Sequence, residues 1–497
     1  MKDPNRNSDE PAMNAKRAIN KLWPSIAMGL ILIGCAAVGP DYTPIKPDGP
    51  ETWNAEMAGG ITPNPPDPDT LAGWWTIFND PELSSLEERA VNGNLDLQAA
   101  RSRIREARAL RGVSQARLFP SVGANAAASK IRSNESGGTG TEFEYYTAGF
   151  DAGWELDIFG GLRRSIEASQ ADLEASQVNL RSVMISLMAE VALNYVDVRI
   201  YQAQLALTRA NIKTQEETYA LNQSRNQAGI IDELAVHESL RILESSRSQI
   251  PAIETRLSAA KNRLAVLLGR RPVEFAQALV EERAIPALPA IVAIGIPAET
   301  LRRRPDIRFA ERVVAAQTAR IGVATADLYP KFHLAGTIGI ESIDSGDLLD
   351  WGSRVWSIGP RASWKIFDGG SIRQNIEVQT ARQEQALIQY QATVLNAQEE
   401  VENALVAYAK EQRRRDSLEK AVTAAQRAEL LARDRYQVGL VNFNNVLDAQ
   451  RSLLLLQNEL NQSTGVATTN LVRLYKSLGG GWKYATSVEE TSDPNND

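Results

Sequence analysis

The sequence FDAGWELDIFGGLRRSIEASQADL, residues 150–173, changes its periodicity part-way along. Up to Ile158, apolar residues alternate strictly with polar or small ones, as in a β-strand with one apolar face. After two glycines, a charged and alanine-rich pattern typical of a helix begins. A near copy, GPRASWKIFDGGSIRQNIEVQTAR, occupies residues 359–382. The chain therefore makes the same strand-to-helix change twice.

Most of the chain consists of two tandem copies of one unit. Adding 210 to a residue number in the first half reaches its counterpart in the second, so that Trp154 meets Trp364. Many matches at one constant offset are the mark of an internal repeat. We expect a first repeat at residues 74–270 and a second at 299–482, joined by a proline-punctuated connector at 271–298.

Each repeat has the order helix, strand, loop, strand, very long helix, tight turn, helix. The strands are predicted at residues 120–132, 145–158, 331–343 and 354–367. Each has at least the roughly ten residues that a tilted transmembrane strand requires. Four strands are too few to close a membrane barrel, and an open sheet would leave backbone groups unpaired in lipid. If the strands span a membrane, several chains must contribute to one barrel.

The predicted strands carry an apolar set and a polar set of alternating side chains. In a membrane the apolar set would face lipid and the polar set would line a wet lumen. The predicted lumen-facing strand residues are Asp151, Glu155, Asp157, Arg361 and Lys365. The two-residue spacing of the three carboxylates places them on one strand face, which favours a lumen wall over a general acid–base pair.

Long helices follow both strand pairs. No proline or glycine interrupts some 60 residues after Gly161 and Gly370, which corresponds to about 90–100 Å of helix. Met184, Val191 and Val198 begin an apolar repeat of seven residues, which predicts a coiled-coil seam. Such helices cannot bury their apolar stripe alone and need lateral neighbours. We therefore expect a tube of helices that continues from the barrel.

The N-terminal segment predicts export. Residues 25–38, SIAMGLILIGCAAV, form an apolar run that is too short for a membrane span and follows basic residues, as in a secretory signal. We predict a signal peptide at 1–34, with Met13 as a plausible true start, and a lipidated extended arm at 35–73. The run ends in LIGC, which resembles the lipobox in which the cysteine, here Cys35, is lipidated. The alternative is a buried cysteine in an ordinary cleaved signal.

Composition excludes several classes of function. The net charge of −7 and a pI near 5.4 argue against nucleic-acid binding. One Cys and two His leave almost no material for a metal site, and no GxSxG, HExxH or P-loop pattern occurs. We predict a protein that is not an enzyme, has no metal and carries no cofactor beyond a covalent lipid on Cys35. The acidic tail at 483–497 is predicted to be disordered.

The chain resembles TolC-type outer-membrane efflux factors, in the lipoprotein branch that includes OprM- and NodT-like proteins. The resemblance rests on GCAAVGPDYTPI at 34–45, LRRRPDI at 301–307, YQVG at 436–439 and LYKSLGGGW at 474–482, and it covers residues 35–482. It implies a mainly α-helical chain with a transmembrane β-barrel portion. The implied assembly is a homotrimer with a twelve-stranded barrel continuous with a twelve-helix periplasmic α-barrel.

The resemblance also implies a function. It is that of a passive exit duct in the outer membrane, anchored by lipid and extending into the periplasm, for drugs or other small toxic solutes. The implied partners are a periplasmic membrane-fusion adaptor, an inner-membrane pump of the resistance-nodulation-division type and outer-membrane lipid. Two alternatives remain: a channel for type I protein secretion with the same fold, and a soluble periplasmic coiled-coil adaptor, which would have no lipid-facing strands.

Two turns and one charged segment are the candidate sites at the periplasmic mouth. Gly229 and Gly439 suit left-handed turns between antiparallel helices, and the resemblance implies that these tips meet the adaptor. It also implies inward-facing aspartates near the mouth. Asp434 is the candidate for such a gate, with Arg433 or Arg435 as its ion-pair partner. The alternative is a solvated charged face.

Overall fold

The computed structural model describes residues 37–45, 52–132 and 141–482. Cys35, the signal peptide and the tail at 483–497 lie outside these described residues. The chain divides into two compact units. The first unit comprises Met1–Ile45, Ile104–Ala175 and Ala310–Tyr390, and the second comprises Lys46–Arg103, Ser176–Phe309 and Gln391–Asp497.

Helices dominate the described chain. In chain order the α-helices are α1 Pro68–Ala72, α2 Pro81–Gly93, α3 Leu95–Ala116, α4 Gly161–Gln227, α5 Glu233–Arg247, α6 Gln249–Leu267, α7 Pro272–Phe275, α8 Pro297–Arg303, α9 Pro305–Ala326, α10 Ser371–Gln437 and α11 Phe443–Ser477. Short 3-10 helices occupy Trp74–Phe78 and Trp351–Ser353. Among these helices, none combines the length and the apolar character needed to cross a membrane.

The four predicted strands are present with different ends, and two further strands of two residues each were not predicted. They are β1 Ile61–Thr62, β2 Ser121–Arg132, β3 Glu142–Leu156, β4 Val292–Ala293, β5 Lys331–Ser342 and β6 Arg354–Ser363. The prediction of a strand to residue 367 is wrong by four residues, and β3 ends two residues before Ile158. The arm at 35–73 is not wholly extended, because β1 pairs with β4 and the side chain of Asp67 caps α1.

Four antiparallel strands of the first unit form one sheet in the order β2-β3-β5-β6. Ser121 pairs with Gly153 in the first hairpin, and Lys331 pairs with Ser363 in the second. β3 and β5 join the two hairpins, with Gly149 opposite Gly339. Within the described residues, the outer edges of β2 and β6 have no partner strand.

The seven-residue apolar repeat of the long helices is buried, as the sequence predicts. Met184, Val191 and Val198 of α4 are fully buried in the second unit, and Val401 and Tyr408 of α10 are equally inaccessible there. α4 and α10 each contain 67 residues, or about 100 Å of helix. The seam therefore belongs to packed helix faces.

The hairpin partner of the long helix differs between the repeats. In the first repeat this partner is broken at Ser248 into α5 and α6, whereas α11 runs unbroken over 35 residues. Pro251 is the third residue of α6, and in an unbroken helix its ring would clash with the carbonyl of residue 247 and its missing N–H would remove a helical bond. The counterpart in the second repeat, Asn461, imposes neither restriction.

In the second unit, an equivalent hydrogen bond in each repeat joins the residue before one helix to the end of the repeat's last helix. The Asn94 side chain donates to the carbonyl oxygen of Leu267 at 2.9 Å, and the Arg304 guanidinium donates to that of Ser477 at 2.7 Å. Both pairs are related by the 210-residue offset. Trp74 stacks on Tyr475 with ring centroids 5.9 Å apart, and burial raises the pKa of Tyr475 to about 12. The LYKSLGGGW segment thus returns to the start of the helical core.

Candidate functional sites in the sheet, the hairpin tips and the arm

One face of the four-stranded sheet is apolar. Phe150 pairs with Ile338, and Ile338 pairs with Trp356, so three large side chains form one row across three strands. All three are exposed in the single chain, as are Val122 and Ile358 on the same face. Such a band on a sheet with a polar opposite face is suited to lipid contact.

The opposite face of the sheet is polar. Asp151 pairs with Thr337, and Thr337 pairs with Ser357, so that the row beside the apolar one carries a carboxylate and two hydroxyls. The Asn125 amide donates to the Asp151 carboxylate at 2.5 Å, and the Thr337 and Ser357 hydroxyl oxygens are 2.8 Å apart. Because successive side chains alternate between faces, none of these groups points toward the apolar face.

A second polar row combines three titratable side chains. Glu155 pairs with His333, and His333 pairs with Arg361. The three residues, together with Lys331, line a cavity of about 1100 Å³ in the first unit. Two of the predicted lumen-facing residues, Glu155 and Arg361, are therefore brought together on the same face as Asp151. The sequence around His333 gives no sign of this row, because its two neighbours come from other strands.

The prediction that Asp157 and Lys365 are strand residues is wrong. β3 ends at Leu156, and the Asp157 carboxylate accepts hydrogen bonds from the backbone N–H groups of Leu162 and Arg163 at 2.9 and 3.0 Å. It thereby satisfies backbone donors that the first turn of α4 leaves free. β6 ends at Ser363, two residues before Lys365.

Tryptophans mark the end of both outgoing strands. The Trp154 indole donates to the carbonyl oxygen of Leu118 at 2.8 Å, and the Trp364 indole donates to that of Leu328 at 3.0 Å. Both contacts join the strand exit to the residues just before the first strand of the same hairpin. In the second hairpin, Asp368 accepts from the N–H of Ile372 at 2.8 Å and so caps the start of α10. The change of period in the sequence therefore corresponds to one recurrent junction.

The two hairpin tips of the second unit have the predicted glycine geometry. Gly229 and Gly439 have φ values of 71° and 78°, in the left-handed region that favours glycine. The backbone N–H of Ile230 donates to the carbonyl of Arg225 at 2.9 Å, and that of Leu440 donates to Arg435 at the same distance. Each turn therefore ends its long helix with an equivalent hydrogen-bonded cap.

A buried contact joins the ends of the two long helices, and sequence analysis missed it. The Tyr436 hydroxyl donates to the Asn222 side chain at 3.1 Å, and both residues are buried. The Arg225 guanidinium lies 4.8 Å from the Tyr436 ring centroid and donates to the carbonyl oxygen of Gln437. The only local signal is that a tyrosine occurs in YQVG, since its partners are more than 200 residues away.

The predicted gate residues lie one turn before the second tip. Asp434 and Arg435 are exposed, and Arg433 is half-buried. Within the part of the chain that the structure describes, Asp434 has no ion-pair partner within 4.0 Å, so neither arginine is paired with it. The Asp434 carboxylate is thus accessible for interactions outside its own chain.

Residues 37–45 of the arm are held in the first unit by a buried arginine. The Arg164 guanidinium donates to the carbonyl oxygens of Val38 and Gly39 and to the Asp41 carboxylate, at 3.1, 3.3 and 2.6 Å. Gly39 has a φ of 92°, and a Cβ there would lie 2.4 Å from the Cα of Gly322. The backbone of the VGPDY sequence therefore packs so closely against Gly322 that only glycine fits at position 39.

Tyr42 extends the same arm contact. Its hydroxyl donates to the Glu311 carboxylate at 2.9 Å, while the Arg312 guanidinium lies 5.4 Å from its ring centroid. Burial and the neighbouring Glu311 carboxylate raise the pKa of Tyr42 to about 12. The phenol therefore stays protonated and keeps its donor role at physiological pH.

Among the described residues, no group of three or more His, Cys, Asp or Glu side chains is placed to hold a metal ion. His237 lies 3.5 Å from Glu233 on the exposed side of α5, and this contact is an ordinary i, i+4 pair. The sites with defined geometry are therefore the sheet, the hairpin tips and the arm contact.

Comparison with known proteins identifies the family. Residues 86–270 and 296–480, which correspond to the two repeats, match the family of outer membrane efflux proteins. The chain belongs to this family. Nodulation protein T of Rhizobium leguminosarum bv. trifolii is 34% identical to it over 440 residues, which cover 87% of this chain and 91% of the relative. Cation efflux system protein CusC of Escherichia coli O6:H1 is 31% identical over 472 residues, covering 93% and 99%.

A solved structure agrees with this assignment. The outer-membrane channel OprN superposes with a TM-score of 0.83 and 36% identity, covering 90% of this chain and 100% of OprN. This efflux family member is therefore an outer-membrane channel of a tripartite pump, with a periplasmic extension and the fold of the trimeric TolC-like channels. The predicted family, fold class and location are confirmed, and the secretion and adaptor alternatives are not supported. The family consists of channel proteins and not of enzymes.

Proposed function

We propose that this chain assembles as a homotrimer and forms a passive exit duct for drugs or other small toxic solutes. The observation that carries the proposal is a four-stranded sheet with one apolar face, one polar face and two edges that have no partner strand in the described parts of the chain. Each unpaired backbone group in hydrocarbon costs several kcal/mol, so the edges of β2 and β6 need partners there. Three chains supply twelve strands and close the sheet around the polar face.

We extend the proposal to the partners at the hairpin tips. Large apolar side chains stand exposed at both tips: Ile230 and Leu234 at the first, and Val438 and Leu440 at the second. Clustered exposed apolar groups mark protein contact sites. In this proposal the turns around Gly229 and Gly439 contact a periplasmic membrane-fusion adaptor, which links the duct to an inner-membrane pump of the resistance-nodulation-division type.

The accessible carboxylate of Asp434 supports a gate in the proposed trimer. Three copies near the axis would repel one another and attract cations, as charged rings do in other channels. Arg433 and Arg435 flank this carboxylate and are its candidate partners across the subunit boundary. Single-channel conductance of an Asp434 variant tests the gate assignment.

The arm contact supports lipidation at Cys35 as a second attachment to the membrane. Arg164 fixes the backbone at Val38 and Gly39, three and four residues after the cysteine, beside the junction between β3 and α4. The backbone N–H of Val38 also donates to the carbonyl oxygen of Phe159 at 3.0 Å. A lipid on Cys35 would therefore be tethered close to the end of the membrane-facing strands.

Drug and solute susceptibility of a deletion strain tests the proposed function. We expect the strain to become more sensitive to several small toxic compounds, and the intact gene to restore resistance. A copy with Cys35→Ser measures the contribution of the lipid, and metabolic labelling with palmitate should be lost in that variant alone. Unchanged susceptibility to every antibiotic, solvent and metal salt tested would refute a major efflux role.

A further inference from the structure

The two hairpins of the sheet have identical strand registers. Shifting Ser121 and Gly153, which pair in the first hairpin, by 210 residues gives Lys331 and Ser363, which pair in the second. Internal symmetry therefore extends from the sequence to the hydrogen-bonded ladders. The sheet is built from two equivalent hairpins and not merely from four similar strands.

One joint between hairpins is visible within the chain. β3 of the first hairpin pairs with β5 of the second, with Asp151 opposite Thr337 and Ala152 opposite Gly336. A trimer of this chain contains six such hairpins in a ring. Three of their joints lie inside subunits and have this register, and the other three join β6 of one subunit to β2 of the next.

We infer that the joint between subunits repeats the register of the joint inside them. The inference rests on the proposed homotrimer and applies the 210-residue shift to both strands of the known joint. It places Arg361 opposite Ala127 of the partner subunit, and Ala362 opposite Ala126 of the partner subunit. The recognised partner is thus a second copy of this chain, bound edge to edge and antiparallel.

The geometry of a closed barrel favours equal registers at all six joints. A slip of one residue at the joint between subunits would turn the apolar face of the adjoining strand toward the lumen. A slip of two residues preserves the faces but displaces one strand by about 7 Å along the other. In a barrel, tilt and stagger are linked, so unequal joints would offset alternate hairpins and the long helices that continue from them.

Two neighbouring pairs on the apolar face involve alanines of β2 in this register. β2 contributes only alanines to the middle of that face, at Ala124, Ala126 and Ala128, and all are exposed. β6 contributes Ile358 and Pro360, which are also exposed in the single chain. In the inferred register Pro360 and Ala362 lie opposite Ala128 and Ala126 of the partner subunit, so these positions meet without steric overlap, and Ile358 lies opposite Lys130 of the partner subunit.

Exposed aromatic groups at the strand-to-helix junction support the same pairing. Inside the chain, Phe159 stacks on Tyr329 with ring centroids 4.6 Å apart. The counterpart of Tyr329 is Phe119, which is 70% exposed, and the segment after β6 holds Ile366 and Phe367, which are 83% and 91% exposed. The inferred joint brings this segment next to Phe119 of the partner subunit, and both surfaces are then covered.

Paired cysteines test the inferred register in the full-length protein. We expect oxidation of a variant with Arg361→Cys and Ala127→Cys, or with Ala362→Cys and Ala126→Cys, to give a covalent trimer on non-reducing gels. Neighbouring pairs alternate between hydrogen-bonded and non-hydrogen-bonded positions, so the two variants together sample both geometries. The matched control is Arg361→Cys with Ser129→Cys, a slip of two residues, together with the single variants and the parent chain.

The outcomes separate this inference from the proposed function. Disulfides require Cα atoms within about 7 Å, so the in-register variants should yield at least about tenfold more covalent trimer than the slipped control. Native mass spectrometry of the reduced variants reports the oligomeric state independently. Trimers in which the slipped pair forms the bond, or in which neither in-register pair does, overturn the register alone. A monomeric parent protein overturns the homotrimer itself.

Discussion

The carboxyl group of Glu87 shows how one residue can work against the stability of this fold. It is fully buried on α2, and within the described chain neither of its oxygens has a hydrogen-bond partner. Burial raises its pKa well above the ordinary value, so the folded chain keeps a proton that the unfolded chain releases. The free energy of unfolding is therefore highest below the pKa that this carboxyl has in the unfolded chain. It falls as the pH rises through the raised pKa of the folded chain.

Replacement of this group should increase stability where the wild-type chain is weakest. We expect Glu87→Gln to raise the free energy of unfolding at pH 8 by about 1–3 kcal/mol and to flatten its dependence on pH. Denaturant unfolding of the detergent-solubilised protein at pH 5 and pH 8 measures both effects. Glu88→Gln, one position along on the exposed side of α2, is the control and should change neither. A variant less stable than wild type at pH 8 would refute the assignment.

At the scale of elements, the junction after each strand depends on a carboxylate. Alternation through residues 150–158 predicted β3 correctly in kind, but it could not show where the strand ends. Asp157 continues the alternating pattern, yet its side chain turns to cap α4. The same residue type serves a lumen wall and a helix cap equally well, and only the three-dimensional course of the backbone distinguishes them.

The cap gives an element-scale prediction. We expect Asp157→Ala to lower the free energy of unfolding by about 1–2 kcal/mol, because two backbone N–H groups lose their acceptor. Asp157→Asn retains an acceptor oxygen and should recover most of this loss. Thermal unfolding followed by circular dichroism compares the two variants. Equal destabilisation by both substitutions would show that the charge, and not the cap, is the important feature.

At the scale of the whole molecule, the constant 210-residue offset predicted the architecture from sequence. It did so because many residue pairs share the same offset, among them Trp154 with Trp364 and Gly229 with Gly439. A single contact between distant residues has no such repeated signal in the sequence. The bond from Tyr436 to Asn222 joins positions 214 residues apart, and burial of Glu87 is hidden beside two exposed charged neighbours. Sequence periodicity therefore gives elements and their order, whereas single polar contacts require coordinates.

The proposed gate yields a prediction for the assembled channel. We expect Asp434→Ala to increase single-channel conductance in planar lipid bilayers, because it removes the charged constriction and the proposed ion pairs with Arg433 or Arg435 across the subunit boundary. Asp448→Ala removes an exposed carboxylate from the neighbouring helix α11 and should leave the conductance unchanged. Identical conductance of the Asp434 variant and the wild type would count against the gate assignment.

The contacts of Asn94 and Arg304 have a consequence for how such a channel can evolve. Both reach an equivalent carbonyl, yet one is a neutral amide and the other a charged guanidinium. The two repeats in three chains give six equivalent positions in the proposed homotrimer. Because each residue is encoded separately, a single mutation changes three alternate positions and leaves the other three intact. A single duplicated gene can thus give alternate positions of a ring a different chemistry, without a second gene.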